Sequence, residues 1–90
     1  MISIRAIVKR REIVLPKWFK ELLGWQDGEN LFFKLSDRQI IVSKADGYAR
    51  KMIHGVIRIP KEIAKELNIE DGSFVLIIVK NNKMLIRLEG

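Results

Sequence analysis

The chain repeats its own pattern at a spacing of 44 residues, and this repeat limits the possible folds more than any other feature. The segment IVLPK at residues 13–17 falls on IRIPK at residues 57–61, and Asp27-Gly28 falls on Asp71-Gly72. Proline fixes its backbone torsion and glycine tolerates torsions that other residues avoid, so shared positions for both indicate a shared backbone. The sequence therefore predicts a single domain over residues 1–90, made of two copies of one unit at about 1–45 and 46–90.

Both copies predict the same order of elements, namely a pair of strands, a short helix and a hairpin. Pro16 and Pro60 should each open a helix, because a proline at the first helical position gives up no needed hydrogen bond. Gly28 and Gly72 are expected to adopt positive φ, with the preceding aspartates capping the same turns. The predicted helices cover residues 17–23 and 61–67, and the predicted strands cover residues 2–8, 13–15, 31–35, 39–43, 48–53, 56–59, 74–79 and 83–88.

The chain is basic, with 17 lysines and arginines against 11 aspartates and glutamates, and a net charge of +6. The positive charge is concentrated near the N-terminus. Clustered positive charge in a small domain favours a polyanionic partner such as nucleic acid, although an ordinary solvated surface would give the same composition. The residues predicted to contact DNA are Arg5, Lys9, Arg10, Arg11, Lys17, Lys20, Arg50, Lys51, His54, Arg58, Lys61 and Lys65.

Several chemistries lack the residues that they need. The chain has no cysteine and one histidine, so a disulfide, a thiolate metal site or a histidine cluster is excluded, and no cofactor or metal is predicted. It contains neither a glycine-rich phosphate loop nor a nucleophile motif, so an enzyme is not expected. The longest apolar run is shorter than the roughly 20 residues that span a bilayer, and no secretory signal is apparent. We expect a cytoplasmic protein, associated with the nucleoid.

Residues 54–88 combine Gly55, IRIPKEI at residues 57–63, LNI at residues 67–69, Asp71-Gly72 and a closing hairpin. This combination resembles the AbrB/SpoVT/MazE family. Residues 4–44 match the same pattern more weakly. The resemblance implies a mainly β fold, a swapped-hairpin (double-split) β-barrel with two short helices. In this chain the two halves would build that barrel as an intrachain pseudo-dimer.

Members of that family are transcription regulators and antitoxins, and the resemblance implies contact with duplex DNA through the first strand, the following loop and the helix start. Arg5 lies where the family often has a DNA-contacting arginine, whereas the second copy has Ala49 there. The family's Gly-Arg pair before the second strand is absent, since the copies have Arg11-Glu12 and Gly55-Val56. Because Arg11 replaces the glycine, the first loop is expected to turn differently from the second.

Four apolar residues stand outside this pattern. Trp18 and Leu22 lie four residues apart on one face of the first helix, and the second copy has glutamates at both matching positions. This face is predicted either to widen the core or to contact a protein partner or a second copy of the chain. Leu76 and Ile78 add to the second interpretation, because they make their strand apolar on both faces.

The first functional prediction is a DNA-binding transcriptional regulator that contacts duplex DNA through a basic face. Residues 1–45 carry the larger share of the positive charge, so an asymmetric DNA site is expected. The alternatives are a protein-interaction module, either antitoxin-like or an assembly adaptor, and a non-specific chromatin protein. Antitoxins of the family usually have a long C-terminal arm that wraps a toxin. No such arm follows the last hairpin here, so antitoxin function is less favoured.

Overall fold

A computed structural model describes residues 2–89 of the chain. Within those residues it contains eight strands and two short helices, in agreement with the predicted mainly β fold. In chain order they are β1 (Ile2–Ile7), β2 (Glu12–Val14), α1 (Lys17–Leu23), β3 (Asn30–Ser36), β4 (Gln39–Ser43), β5 (Tyr48–Lys51), β6 (Val56–Arg58), α2 (Lys61–Glu66), β7 (Phe74–Lys80) and β8 (Lys83–Leu88).

The strands form a six-stranded sheet, in the order β1-β7-β8-β4-β3-β5, and a two-stranded ribbon of β2 and β6. Every pair of neighbouring strands is antiparallel. Among residues 2–89 no ladder joins β1 to β5, so the six-stranded sheet is open with these two strands at its edges. Closure into a barrel therefore stays a prediction.

Apart from the two hairpins, every ladder joins residues 2–45 to residues 46–89. The registers on the two sides also coincide at the spacing of 44 residues. Ile4 on β1 lies opposite Ile77 on β7, and the matching residues Tyr48 on β5 and Phe33 on β3 lie opposite each other. Each half of the chain thus completes the sheet of the other half.

Two cross-strand pairs join residues that are themselves 44 positions apart. Ile13 pairs with Ile57 at the middle of the ribbon, and Ile41 pairs with Leu85 on the central strands of the sheet. Ile13 and Ile57 are almost completely buried, which places the inner side of the ribbon against the core.

The core lies between the inner face of the sheet, the ribbon and the two helices. Its side chains come from alternate positions of the strands, as expected for a sheet with one buried face. Full burial of large apolar side chains from both halves provides the main stabilisation. The most deeply buried members are Val8, Ile13, Phe19, Leu31, Phe33, Ile40, Met52, Ile57, Ile59, Ile77, Met84 and Ile86.

Both helices follow a proline, as predicted. Helix α1 has the predicted bounds, and Gly24 caps its C-terminus with a φ of 71°, so that the amides of Gly24 and Trp25 donate to carbonyls of the last turn. Helix α2 ends at Glu66, one residue before the predicted end. No helix in residues 2–89 is long and apolar enough to cross a membrane.

Gly47 lies in the connection between β4 and β5 and has no counterpart among the predicted turn glycines. Its φ is 128°, and a Cβ atom at this position would collide with the carbonyl group of Phe33. Only glycine therefore fits where the chain passes from the first half to the second.

Candidate nucleic-acid interface

The β2–β6 ribbon presents a mixed charged and apolar outer surface. Glu12 and Arg58 lie opposite each other, and their side chains form an ion pair with Nη2–Oε2 at 2.9 Å. Val14 and Val56 form the other outward pair, and Val14 is 68% exposed. The ribbon is therefore a surface in its own right, held from beneath by its two buried isoleucines.

A two-residue turn leads into each strand of the ribbon. The central residues of the first turn, Arg10 and Arg11, have φ of 54° and 62°, and those of the second, His54 and Gly55, have φ of 51° and 73°. Both turns are therefore left-handed at both positions, which is typical of tight hairpin connections. The expectation that Arg11 would make the first loop turn differently is wrong.

The cost of a left-handed arginine, of order 1 kcal/mol, is offset by contacts to the other half of the chain. The Arg11 guanidinium donates a hydrogen bond to the carbonyl oxygen of Ile59 at 3.1 Å. The Ile59 amide in turn donates to the Arg11 carbonyl oxygen at 2.8 Å. Arg11 is half-buried by these contacts, so its side chain is fixed relative to the ribbon.

Asp27 and Asp71 hold these turns from the opposite half. The Asp71 carboxylate accepts a hydrogen bond from the Arg10 amide at 2.7 Å, and the Asp27 carboxylate accepts one from the Gly55 amide at 2.7 Å. The prediction that the aspartates cap their own turns is wrong, because Glu29 and Ser73 accept the amide hydrogen bonds there. Gly28 and Gly72 do adopt positive φ, as predicted.

Lys20 is held inside this arrangement. Its ammonium group lies 3.7 Å from the Asp27 carboxylate, and a Cβ atom on Gly55 would come within 3.2 Å of it. At the matching positions of the other half, Ala64 replaces Lys20 and Arg11 replaces Gly55. At this pair of positions, each half of the chain thus has one basic side chain. In one case it is Lys20 of helix α1, and in the other it is Arg11 of the first turn.

Two grooves run along the sides of the ribbon, one between β1 and β2 and the other between β5 and β6. Arg5 and Lys9 line the first groove, together with Glu12 and apolar residues. The second groove is more basic. It is lined by Arg50, Lys51, Ile53, His54, Val56 and Arg58, and Glu12 reaches it as well.

The basic residues of the two halves are complementary in position. The second groove has Arg50, Lys51 and Arg58 where the first half has alanine, isoleucine and valine. Conversely, the first turn has Lys9-Arg10-Arg11 where the second has Ile53-His54-Gly55. The structure therefore brings basic side chains from distant parts of the sequence to both sides of one ribbon. The sequence could have predicted this complementarity through the offset of 44 residues. The complementarity becomes visible only when the two halves are compared position by position.

Arg5 is held more firmly than the other groove residues. Its guanidinium lies 4.0 Å from the centre of the Phe74 ring, and its Nε is 2.5 Å from the Glu89 carboxylate. These contacts fix the direction of the side chain and neutralise part of its charge. Ala49 at the matching position has neither contact, so the two halves differ here as predicted from the sequence.

Besides Lys20, three lysines lie on the helices, and they differ in their placement. Lys17 and Lys61 are exposed first residues of α1 and α2, and each follows a proline that lies two residues after a strand of the ribbon. Lys65 lies in the last turn of α2 and lines neither groove. Lys65 therefore lies at the end of α2 opposite the one that follows the ribbon, unlike Lys17 and Lys61, which begin their helices.

The predicted partner surface is exposed only in part. Trp18 and Leu22 on α1 are 53% and 47% exposed, and the Trp18 ring packs edge-on against Phe19. On the sheet, Leu76 is half-buried, and Ile78 is 7% exposed within the single chain. Ile78 is thus buried without any partner, whereas the α1 face is open.

Glu29 shows a shifted pKa at the turn after α1. A hydrogen bond from the Lys44 ammonium, followed by one from the Gln26 amide, lowers the pKa of the Glu29 carboxyl below its ordinary value of 4.5. This pair anchors the end of β4 to the turn before β3.

Residues 55–89 match the family model described as antidote-toxin recognition MazE, bacterial antitoxin. The matched segment agrees with the resemblance predicted for residues 54–88, so this part of the chain is similar to that family. No curated protein matched the chain, and no solved structure matched it.

Proposed function

We propose that the chain is a DNA-binding transcriptional regulator that contacts duplex DNA through its ribbon face. This face comprises the outer side of the β2–β6 ribbon, its two turns and grooves, and the exposed starts of both helices. The observation that carries the proposal is the convergence of basic residues from both halves on one ribbon. Lys9 and Arg10 lie at the turn that leads into β2, and Arg50 and Lys51 line the groove between β5 and β6.

The proposed architecture is an intrachain pseudo-dimer within one domain, with halves at about 1–45 and 46–90 and a swapped-hairpin barrel as the common fold. Two observations support it. Residues 55–89 match the MazE family model, and the strand registers of the two halves coincide at a spacing of 44 residues. The chain would act on DNA in the cytoplasm, at the nucleoid.

Size limits the DNA site. The chain extends 29 × 23 × 23 Å, whereas one turn of B-form DNA is about 34 Å long. One chain would therefore cover less than a full turn. Arginines suit bidentate contacts with bases or phosphates, and lysines mainly neutralise phosphates. Because Arg50 and Arg58 have no basic counterparts in the first half, we expect the preferred site to be asymmetric.

Salt dependence of duplex binding tests this proposal. If about six phosphates are neutralised, the logarithm of the binding constant should fall against the logarithm of salt concentration with a slope near −5. A double variant, Arg10→Asn with Lys51→Ala, should weaken binding and reduce the slope by about 2. Asparagine is chosen because it tolerates the left-handed backbone of Arg10.

The matched control is Arg38→Asn with Lys65→Ala. Arg38 has a φ of 64° in the β3–β4 turn, and Lys65 is exposed on α2, so the control makes the same chemical changes away from the ribbon. Its salt slope should equal that of the original chain. Equal losses in both variants would show that binding follows net charge rather than the ribbon face. Competition between selected and random duplexes at about physiological salt separates a regulator from a non-specific chromatin protein.

The exposed α1 face favours a second candidate, a protein-interaction module. Trp18 and Leu22 occupy positions where α2 has Glu62 and Glu66. Replacing both by glutamate would copy the polar face of α2 onto α1. If the face is an interface between chains, the variant should change the molecular mass in solution from dimer to monomer while leaving duplex affinity unchanged. A monomeric original chain at high concentration would contradict self-association.

A further inference from the structure

The sheet has a second basic surface on the side that faces away from the ribbon. Val75 and Ile77 point into the core, so Leu76, Ile78 and Lys80 of the same strand point outward. We call the outward positions of β3, β4, β7 and β8 the outer sheet face. Its basic members are Lys34, Lys80, Lys83 and Arg87. None of these four strands contains an aspartate or a glutamate.

Lys80 and Lys83 form an unfavourable pair on this surface. They lie directly opposite each other across the β7–β8 ladder, where like charges destabilise a sheet. Neither has an acidic partner among the ion pairs of residues 2–89, whereas Lys34 is paired with Asp46 at 3.2 Å. The corresponding pair of the first half, Ser36 and Gln39, is neutral. An anion bound at this end of the hairpin would relieve the repulsion.

The centre of the outer sheet face is apolar but is not an open apolar patch. Ile78, Leu85 and Ile41 lie side by side across three strands, and Ile78 is only 7% exposed. Long basic side chains can cover apolar surface with their stems while their charged ends stay in water. The surface that remains for a partner is therefore mainly positive charge, which complements a polyanion better than a protein core.

Some acidic residues lie on the helices and in turns rather than on the strands of the sheet. Glu21, Glu62 and Glu66 are on the helices, and Asp37 and Glu70 are in turns. The core lies between the ribbon and the inner face of the sheet, so the outer side of the ribbon and the Lys80–Lys83 pair are on opposite sides of the core, and one straight duplex cannot contact both.

We propose that the outer sheet face is a second site for duplex DNA, so that one chain bound through its ribbon face bridges two duplexes. The inference rests on the proposed function, because it takes the ribbon face as the first DNA site. Lys80, Lys83 and Arg87 bind phosphates of the second duplex. Bridging therefore needs no second copy of the chain.

A capture assay tests this inference. One duplex is fixed on beads, the full chain is added below saturation, and retention of a second, fluorescent duplex is measured. The double variant Lys80→Gln with Lys83→Gln should keep the affinity of the ribbon face for its duplex, the tighter of the two, within about twofold, because the ribbon face is unchanged. It should reduce capture of the second duplex by about tenfold, because two of the phosphate contacts are lost. The matched control, Arg38→Gln with Lys65→Gln, should capture as much as the original chain.

The other outcomes overturn the inference. Equal capture by the original chain and the Lys80/Lys83 variant would mean that bridging occurs through a chain dimer. If the Lys80/Lys83 variant loses capture of the second duplex and affinity for the first duplex to the same extent, these lysines belong to a single DNA site. A chain that binds one duplex but captures no second duplex refutes bridging and leaves the proposed function intact. A chain that binds no duplex at all refutes the proposed function itself.

Discussion

Asp27 and Asp71 occupy matching positions, yet they make different contacts. Both carboxylates accept an amide hydrogen bond from a turn of the opposite half. The Asp27 carboxylate also lies 3.7 Å from the Lys20 ammonium, and its amide donor is partly buried, whereas the bond to Asp71 is exposed. The two aspartates thus position the two ribbon turns with unequal strength.

We predict that Asp27→Ala destabilises the chain more than Asp71→Ala. Loss of Asp71 removes one exposed hydrogen bond, which costs roughly 0.5–1 kcal/mol. Loss of Asp27 leaves a partly buried amide and a half-buried lysine without their acceptor, which costs about 1–3 kcal/mol. Urea unfolding of the two variants measures the difference. Equal free energies of unfolding would mean that Lys20 gains nothing from Asp27.

These roles could not be read from the sequence, although the turn glycines could. Positive φ at Gly28 and Gly72 follows from the residues themselves, because the torsion is a local property. The partners of the aspartates lie 28 and 61 residues away along the chain, so no local pattern marks them. The same holds for Arg11, whose left-handed backbone depends on contacts with Ile59.

At the scale of elements, local sequence patterns predicted which helices and strands exist and where they begin and end. They did not predict which strands pair with each other. Helix α1 was predicted from Pro16 and the turn that follows it, and its bounds agree with the structure. Strand β1 was predicted as an apolar segment near the N-terminus, but its partner β7 begins more than 60 residues later. Alternation of apolar residues is the same for any partner strand, so it does not identify which strand is adjacent.

Lys44 at the end of β4 controls the titration of Glu29 before β3. Since the pKa of Glu29 is lowered by folding, its carboxylate favours the folded chain above pH 4.5 and loses this contribution as the pH falls through the lowered pKa. We predict that Lys44→Ala raises the pKa of Glu29 towards its ordinary value. The Gln26 amide chemical shift, followed against pH, reports the titration.

Lys34→Ala is the matched control for this titration. Lys34 is paired with Asp46 rather than with Glu29, so its removal should leave the Glu29 midpoint in place. An unchanged midpoint in Lys44→Ala would show that the Gln26 amide, the second cause, is sufficient to lower the pKa.

On the scale of the whole molecule, the strand registers of the two halves coincide at a spacing of 44 residues, whereas their basic residues lie at different positions. Each half has basic residues at positions where the other half has none. Both sides of the ribbon are therefore basic, but they are not identical. Two separate, identical chains could not divide these roles. In the proposed pseudo-dimer, joining the halves in one chain is therefore what would permit an asymmetric interface.

The pattern of ladders gives the strongest prediction at this scale. Alone, residues 1–45 lack the partners of β1 and β2, and residues 46–90 lack those of β5 and β6. We expect neither peptide to fold as a monomer, because its edge strands and apolar face would be exposed. An equimolar mixture should recover strand structure by circular dichroism, with a melting temperature that rises with concentration.

Introducing Ile57→Asp into the second peptide should abolish recovery, because this side chain is buried opposite Ile13. Independent monomeric folding of residues 46–90 would contradict the pseudo-dimer, since a half that folds alone does not need the ladders that join it to the other.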